Sequence, residues 1–245
     1  MPEVRPGDDL AALILQALAG QGVTLADGDV LAVAQKIVSK AEGRVIDLSS
    51  VTPGPEATRL AGETGKAPAK VQLILDESRA VIRTAPATAV REGVLIVRHR
   101  LGFICANAGI DESNAGADGR VVLLPRDPDA GAAALRDEIE SRTGRRVGIV
   151  ITDSFGRPWR LGLVNVAIGL AGLPALTDLI GTADAHGRAL AATMPAFADE
   201  VAAASGLVVG KASQTPVCLL RGLIWDGPDQ AASALIRPAK EDLFL

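Results

Sequence analysis

The clearest strand in this chain, Arg146 to Thr152, carries Val147, Ile149, Val150 and Ile151 and runs straight into Asp153 and Ser154. The polar end of an apolar strand is where open α/β sheets usually place ligand groups. A second buried strand, Asp29 to Ala34, leads directly into Gln35-Lys36-Ile37-Val38-Ser39-Lys40. Around these two the pattern alternates. Asp8 and Asp9 are caps for an apolar helix through Leu10, Leu13, Ile14 and Leu18 that ends near Gly20, and another helix covers Lys70 to Leu75. Strands are expected near Ala80 to Arg83, Val94 to Val97 and Val121 to Leu124, with a Gly-, Asn- and Asp-rich loop region over 98–119. Asp127-Pro128 opens a helix to about Thr143, since proline suits the first helical position. A small-residue segment from Asn165 to Leu173, a helix from Phe197 to Gly206 and a strand from Val217 to Leu220 complete the pattern. No Gly-x-Gly-x-x-Gly follows a strand, so the expectation is an α+β or layered α/β fold rather than a simple Rossmann order.

Length and composition bound the rest. The 245 residues suffice for one large domain, 1–245, or for two closely packed lobes, and neither a repeat nor a linker divides them. Hydrophobic residues reach 48% with no Tyr, four Phe and two Trp, so the core is built from small branched side chains. With 25 basic and 29 acidic residues the net charge is −4, which argues against a nucleic-acid coat and requires a local basic site for any anionic ligand. Two cysteines and two histidines give neither a disulfide framework nor a His-rich metal site. With no apolar leader after Met1 and no run of the ~18 to 20 apolar residues a span needs, no membrane association is expected and a soluble, cytoplasmic protein is.

Four segments could carry chemistry. Gly109-Ile110-Asp111-Glu112-Ser113-Asn114-Ala115-Gly116 sets a carboxylate between glycines, where it can face a hard cation, and Asn114 could bond a nucleotide; a solvated turn is the bland alternative. Thr152-Asp153-Ser154 puts a carboxylate beside a hydroxyl, a pairing suited to magnesium or manganese, with Arg157 and Arg160 available for phosphate; a helix cap at Asp153 is the alternative. Lys36 and Lys40 share a face if their segment is helical, as a phosphate clamp or as ordinary surface lysines. Gly210-Lys211-Ala212-Ser213-Gln214-Thr215-Pro216 could cradle a nucleotide through backbone amides, although its spacing is wrong for a Walker A loop. Cys105 reads as a buried small side chain, and His99 and His186 as structural or peripheral.

In order, Val38-Ser39-Lys40-Ala41-Glu42-Gly43-Arg44, Arg100-Leu101-Gly102, Gly109 to Asn114, Ile151 to Arg160, Ala167 to Leu173, Asp199-Glu200 and Gly210-Lys211 with Pro216 resemble the coenzyme F420-0:L-glutamate ligase family over nearly the whole chain. The resemblance implies an unusual layered α+β fold in an intertwined homodimer, without the nitroreductase-like C-terminal half of the fused relatives. It implies a GTP site with two divalent cations, Mg2+ or Mn2+, and leaves a potassium ion open. Asp111 and Asp153 would hold one metal, and Ser154, often Thr in relatives, would help hold the second. Pro2, Glu3, Val4, Gln35, Lys40, Asn114 and residues Gly210, Lys211, Ala212, Ser213, Gln214, Thr215 and Pro216 would contact GTP. Some relatives carry an acidic residue where this chain has Lys211.

The implied reaction joins L-glutamate to F420-0 and adds further γ-linked glutamates, with GTP turning a carboxylate into an acyl phosphate. Lys40 and Arg157 are the candidates for stabilising phosphate charge, and Glu112 or Glu200 for a base. Two other readings stay open: a metal-dependent phosphotransferase acting on another small carboxylate, and a non-catalytic nucleotide or deazaflavin carrier.

Overall fold

The structure is a computed structural model and describes residues 1–113, 115–116, 118–210 and 214–242. In chain order its helices are α1 (Leu10–Ala19), α2 (Gln35–Ala41), α3 (Pro55–Thr64), α4 (Pro68–Asp76), α5 (Pro128–Thr143) and α6 (Phe197–Ser205). The strands are β1 (Asp29–Ala34), β2 (Val45–Asp47), β3 (Ser78–Ala85), β4 (Val94–His99), β5 (Ile104–Ala106), β6 (Arg120–Val122), β7 (Val147–Arg157), β8 (Arg160–Ala171) and β9 (Val217–Leu220). This is a mixed α+β architecture with several sheets.

The central sheet has the order β8-β7-β1-β9, with β1 parallel to β7 and the outer pairings antiparallel. β1 and the first half of β7, through Ile151, are buried without alternation because both of their faces are covered. Leu31, Val33, Ile149 and Ile151 pack against α1, α2 and α5 through Ile14, Ile37, Val38, Leu135 and Ile139. Val30, Ala32 and Val150 point the other way, onto Ala198, Val201 and Ala202 of α6. Close packing explains two glycines of the sheet. A Cβ on Gly148 would lie 2.6 Å from Leu173, and one on Gly169 would lie 2.4 Å from the backbone of Pro128, the first residue of α5.

A second body is the antiparallel sheet β3-β4-β5, covered by α3 and α4 through Leu60, Val71, Ile74, Leu95 and Val97. Phe103 and Phe155 pack against both this core and that of the central sheet, their ring centroids 5.1 Å apart. A buried ion network joins the two bodies as well. Glu77, at the end of α4, forms an ion pair with Arg44 at 2.7 Å and accepts from Arg100 at 2.8 Å, while Arg44 Nε donates to the Leu124 carbonyl at 3.0 Å. His99 stacks on Phe103 and accepts at Nδ1 from the Leu101 amide, which directs its Nε2 proton toward Glu77, 3.6 Å away. Burial and the two arginines hold His99 below its ordinary pKa, so it is a neutral structural residue.

Two expectations change here. The strand through Ile151 does not end at Asp153: it continues to Arg157 and turns back at Trp159, which has a positive φ, into β8. The small-residue segment 165–173 lies largely in that return strand, paired with β7. No helix among the described residues is long and apolar enough to cross a membrane.

Candidate active site

A cleft of about 780 Å3 opens where the ends of β1 and β7 meet the loop after β5. One wall is the start of α2, with Gln35, Lys36 and Lys40. Opposite it lie Gly109, Ile110 and Asp111, and Thr152 to Gly156 of β7 form the floor. Met1 to Val4 and residues 214–216 close one side, tied to each other by the N-terminal ammonium, which donates to the Gln214 carbonyl at 3.2 Å. Pro216 is held against the sheet by a 2.8 Å bond from the Ala34 amide.

Asp111 is placed by backbone before it is placed by side chain. Its amide and carbonyl each bond Val122, at 3.0 and 2.8 Å, so the loop borrows rigidity from β6. The turn before it is tight: Asn107 and Ala108 both have positive φ, and a Cβ on Gly109 would press to 2.8 Å from Leu124. Consecutive non-glycine residues in that region store strain, and such strain collects at functional sites. Asp111 then accepts from the Ser113 amide at 2.6 Å and pairs with Lys36 Nζ at 2.8 Å. Burial works against its ionisation, but the Lys36 and Ser113 contacts outweigh it and keep the carboxyl below the usual range.

Asp153 differs. Burial, with the nearby charge of Asp111 added, pushes it up to about 7, against weaker pulls from the Ser154 amide, Lys36 and Gln35. Two carboxylates aimed into one cleft with too little positive charge between them form a cation-seeking arrangement. Ser154 adds a hydroxyl, which donates to Asn165 Oδ1 at 2.8 Å. Gln35 is buried; its Oε1 accepts from Ser39 at 2.8 Å, and its amide acts on the Asp153 carboxylate. Two carboxylates and a hydroxyl are hard oxygen donors of the kind magnesium and manganese take while keeping several waters. Among the described residues there is no group of three or more His, Cys, Asp or Glu that could hold a metal by themselves.

The structure thus gathers Pro2, Glu3, Val4, Gln35, Lys40, Asp111, Asp153, Ser154, Gly210, Gln214, Thr215 and Pro216 around one cleft. Lys40 also pairs with Glu3 at 3.3 Å. Asn114, Lys211, Ala212 and Ser213 lie outside the described residues. Arg157 is not on the cleft wall: because β7 runs on past Asp153, it sits at the far end of the hairpin, reaching the Leu161 carbonyl at 3.4 Å. Glu112 and Glu200 do not line the cleft either.

Comparison with known proteins adds to this geometry. The family model described as F420-0:Gamma-glutamyl ligase matches residues 1–222. The chain belongs to that family. Three relatives, each called coenzyme F420:L-glutamate ligase, show how evenly the likeness runs. It is 45% identical to that of Methanothermobacter thermautotrophicus, over 100% of this chain and 95% of the relative. The match to that of Methanopyrus kandleri is 44%, over 99% and 93%. With that of Archaeoglobus fulgidus it is 39%, over 100% and 93%.

Several residues of this member of the glutamyl ligase family escape a reading of the sequence. Phe155, Leu163 and Cys105 supply an apolar side to the cleft. Burial pushes the Cys105 thiol up to about 12, so it is an inert lining group. Lys70 of α4 anchors the acidic loop from behind: its side chain is 6% exposed and its Nζ bonds Glu112 at 2.9 Å and Glu92 at 3.0 Å. Burial disfavours that ammonium, yet the two carboxylates prevail and hold its pKa above the ordinary value. Residues 42 positions apart leave no local signal of such a pair. Lys70→Met should free Glu112 and speed amide hydrogen exchange at Asp111 and Ser113 by about tenfold or more, read by mass spectrometry or NMR. Unchanged exchange there would make Lys70 a filler of its own helix rather than an anchor.

Proposed function

We propose that the chain is a GTP-dependent ligase that joins L-glutamate to F420-0 through an acyl phosphate. The observation that carries this reading is the convergence of Asp111, Asp153 and Ser154 with Lys36 and Lys40 on one cleft, in a chain of the glutamyl ligase family. Amide formation from a carboxylate needs a better leaving group than oxide. A carboxylate oxygen of F420-0 attacks the γ-phosphorus of GTP, the bond to the bridging oxygen breaks, and GDP leaves. The glutamate amine then attacks the acyl carbon, loses a proton and expels phosphate. A carrier would have no need of two carboxylates lining one cleft.

Asp111, Asp153 and Ser154 are the residues that would hold magnesium or manganese, which when bound would neutralise phosphate charge. Lys40 and Lys36 line the same cleft, within reach of a triphosphate placed along α2, and fixed positive charge there stabilises the transferring group. Gln35, Pro2 to Val4 and residues 214–216 would hold the nucleotide in register. Holding amine and acyl phosphate side by side supplies much of the remaining rate. A homodimer belongs to the same proposal. It is supported by the hairpin of β7 and β8, which leaves Trp159 81% and Leu161 99% exposed, apolar surface that a second copy would cover.

The test is interception. With GTP, Mn2+, F420-0 and hydroxylamine but no glutamate, a hydroxamate of F420-0 should accumulate and the protein should stay unmodified. A stable acyl or phosphoryl adduct on the protein, with no hydroxamate, would overturn the acyl-phosphate route.

A further inference from the structure

Lys36 is the cleft residue whose contacts are least like those of a phosphate clamp. Its ammonium is already engaged, 2.8 Å from Asp111 Oδ2 and 2.6 Å from Ser113 Oγ, and its side chain is largely covered. The same charge also acts on Asp153. Lys40, one turn along α2, instead pairs with the exposed Glu3 at 3.3 Å. The two lysines therefore face different tasks.

Resting on the reading of the acidic pair as a cation site, we propose that Lys36 is its built-in counter-ion. It holds Asp111 in place while no divalent cation is bound, competes with that cation for the carboxylate, and is released toward the nucleotide phosphates once the cation takes Asp111. Three physical points support this. An ammonium and a hard metal ion both seek the same carboxylate oxygens, and an extra positive charge a few ångströms away weakens cation binding. Two carboxylates facing one cleft without a counter-ion would repel, so the empty site needs a positive charge to remain assembled. A lysine stem is long and flexible enough to move its charge from one oxygen cluster to the next, which a guanidinium fork does less readily.

Competition has a sign that an anchoring role does not. If Lys36 merely oriented Asp111, its removal would weaken metal binding. If it competes, Lys36→Met should bind Mn2+ more tightly than wild type, by about tenfold, in the absence of nucleotide. Binding is read by electron paramagnetic resonance of free Mn2+ or by calorimetry. At saturating Mn2+ the same variant should bind GTP more weakly by about tenfold. Lys36→Gln, which keeps a hydrogen bond to Asp111 but no charge, should behave like the Met variant. With Mn2+ bound, melting curves of both are expected to match wild type, because the cation then supplies the positive charge that Lys36 provided. Mn2+ binding that is unchanged or weaker in the two variants would overturn the inference. A wild-type protein that binds no Mn2+ would overturn the cation site itself, and the inference with it.

Discussion

Replacing Asp153 by Asn should lower the rate of ligation by about a thousandfold or more while leaving the melting temperature unchanged or higher. The two effects share one cause. Asp153 sits where burial and the charge of Asp111 push its pKa from 3.8 up to about 7. A carboxyl raised in this way is at no disadvantage below about pH 4. It destabilises the fold increasingly as the pH climbs from there toward 7, because the unfolded chain ionises the group more readily. At pH 8 the native protein therefore bears a charge that its core does not favour. Asn keeps the shape and removes that charge, so the fold should tolerate it. A ligand for a cation at a phosphoryl-transfer site does the reverse. Its loss should remove about 4 kcal/mol of transition-state stabilisation, which is about three orders of magnitude in rate. Near-normal turnover of the Asn variant at saturating magnesium or manganese would remove Asp153 from the site. A melting temperature several degrees lower would mean that the carboxylate serves the fold after all.

Glu77→Gln should act first on the fold, with a large loss of stability. One carboxylate oxygen of Glu77 lies 2.7 Å from Arg44 and 2.8 Å from Arg100. Arg44 is almost entirely buried, and without Glu77 its charge has no compensation, a situation that costs about 3 to 5 kcal/mol. For a chain of this size each kcal/mol shifts the midpoint by about 2 to 4 °C, so a fall of about 6 to 20 °C is expected by calorimetry. Acid titration carries the same information. Burial opposes ionisation of Glu77, but His99, Arg44 and Arg100 outweigh it and hold the carboxyl down at about 2. Its contribution is thus fully present above about pH 4.5 and is lost as the pH falls through the window between 4.5 and about 2. His99, held below its ordinary value, also loses stabilisation as the pH falls, so the two add in sign. A Gln variant that melts with wild type and keeps the same acid profile would mean the network holds nothing together. Function should suffer too, since the network fastens the body that carries Asp111 to the sheet that carries Asp153.

Much of this layout was legible in the sequence where the signals are local. The strand 29–34, the cap at Asp9, Asp127 with Pro128, and the helix ending near Ser205 appear where the residues place them. The helix Pro55–Thr64 was missed although its own cues are present, proline at its start and Gly65 in the left-handed conformation at its end. The long hairpin was missed for a physical reason. Beyond Asp153 the strand alternates between half-buried and exposed residues and contains Gly156, so the continuous apolar run that marks its first half stops while the backbone pairing does not. Its return strand is interrupted by Gly162 and Gly169, the second held against the backbone of Pro128 in α5, and glycines inside a strand weaken its local signal.

Within the site, the order of Asp111, Asp153, Gln35 and Lys40 along the chain was enough to bring them together through family resemblance, and the cleft holds all four. Arg157 is the exception: the strand runs five residues past the Thr152 end read from the sequence and carries Arg157 away from the cleft wall. The ion pairs that support the cleft were not legible at all. Arg44, Glu77 and Arg100, or Lys70 and Glu112, are separated by tens of residues, and only the packed fold makes them neighbours.

The central claim is that one cleft couples nucleotide cleavage to amide formation. Purified protein with F420-0, L-glutamate, GTP and Mn2+ can be followed by liquid chromatography and mass spectrometry, counting GDP and glutamylated product in the same sample. The expected result is one GDP for each amide bond, with the glutamylated product lost when glutamate is omitted and both products lost when Asp111 is replaced by Ala. With all substrates present, GDP release without any glutamylated product, or glutamylation that proceeds without nucleotide cleavage, would contradict the account.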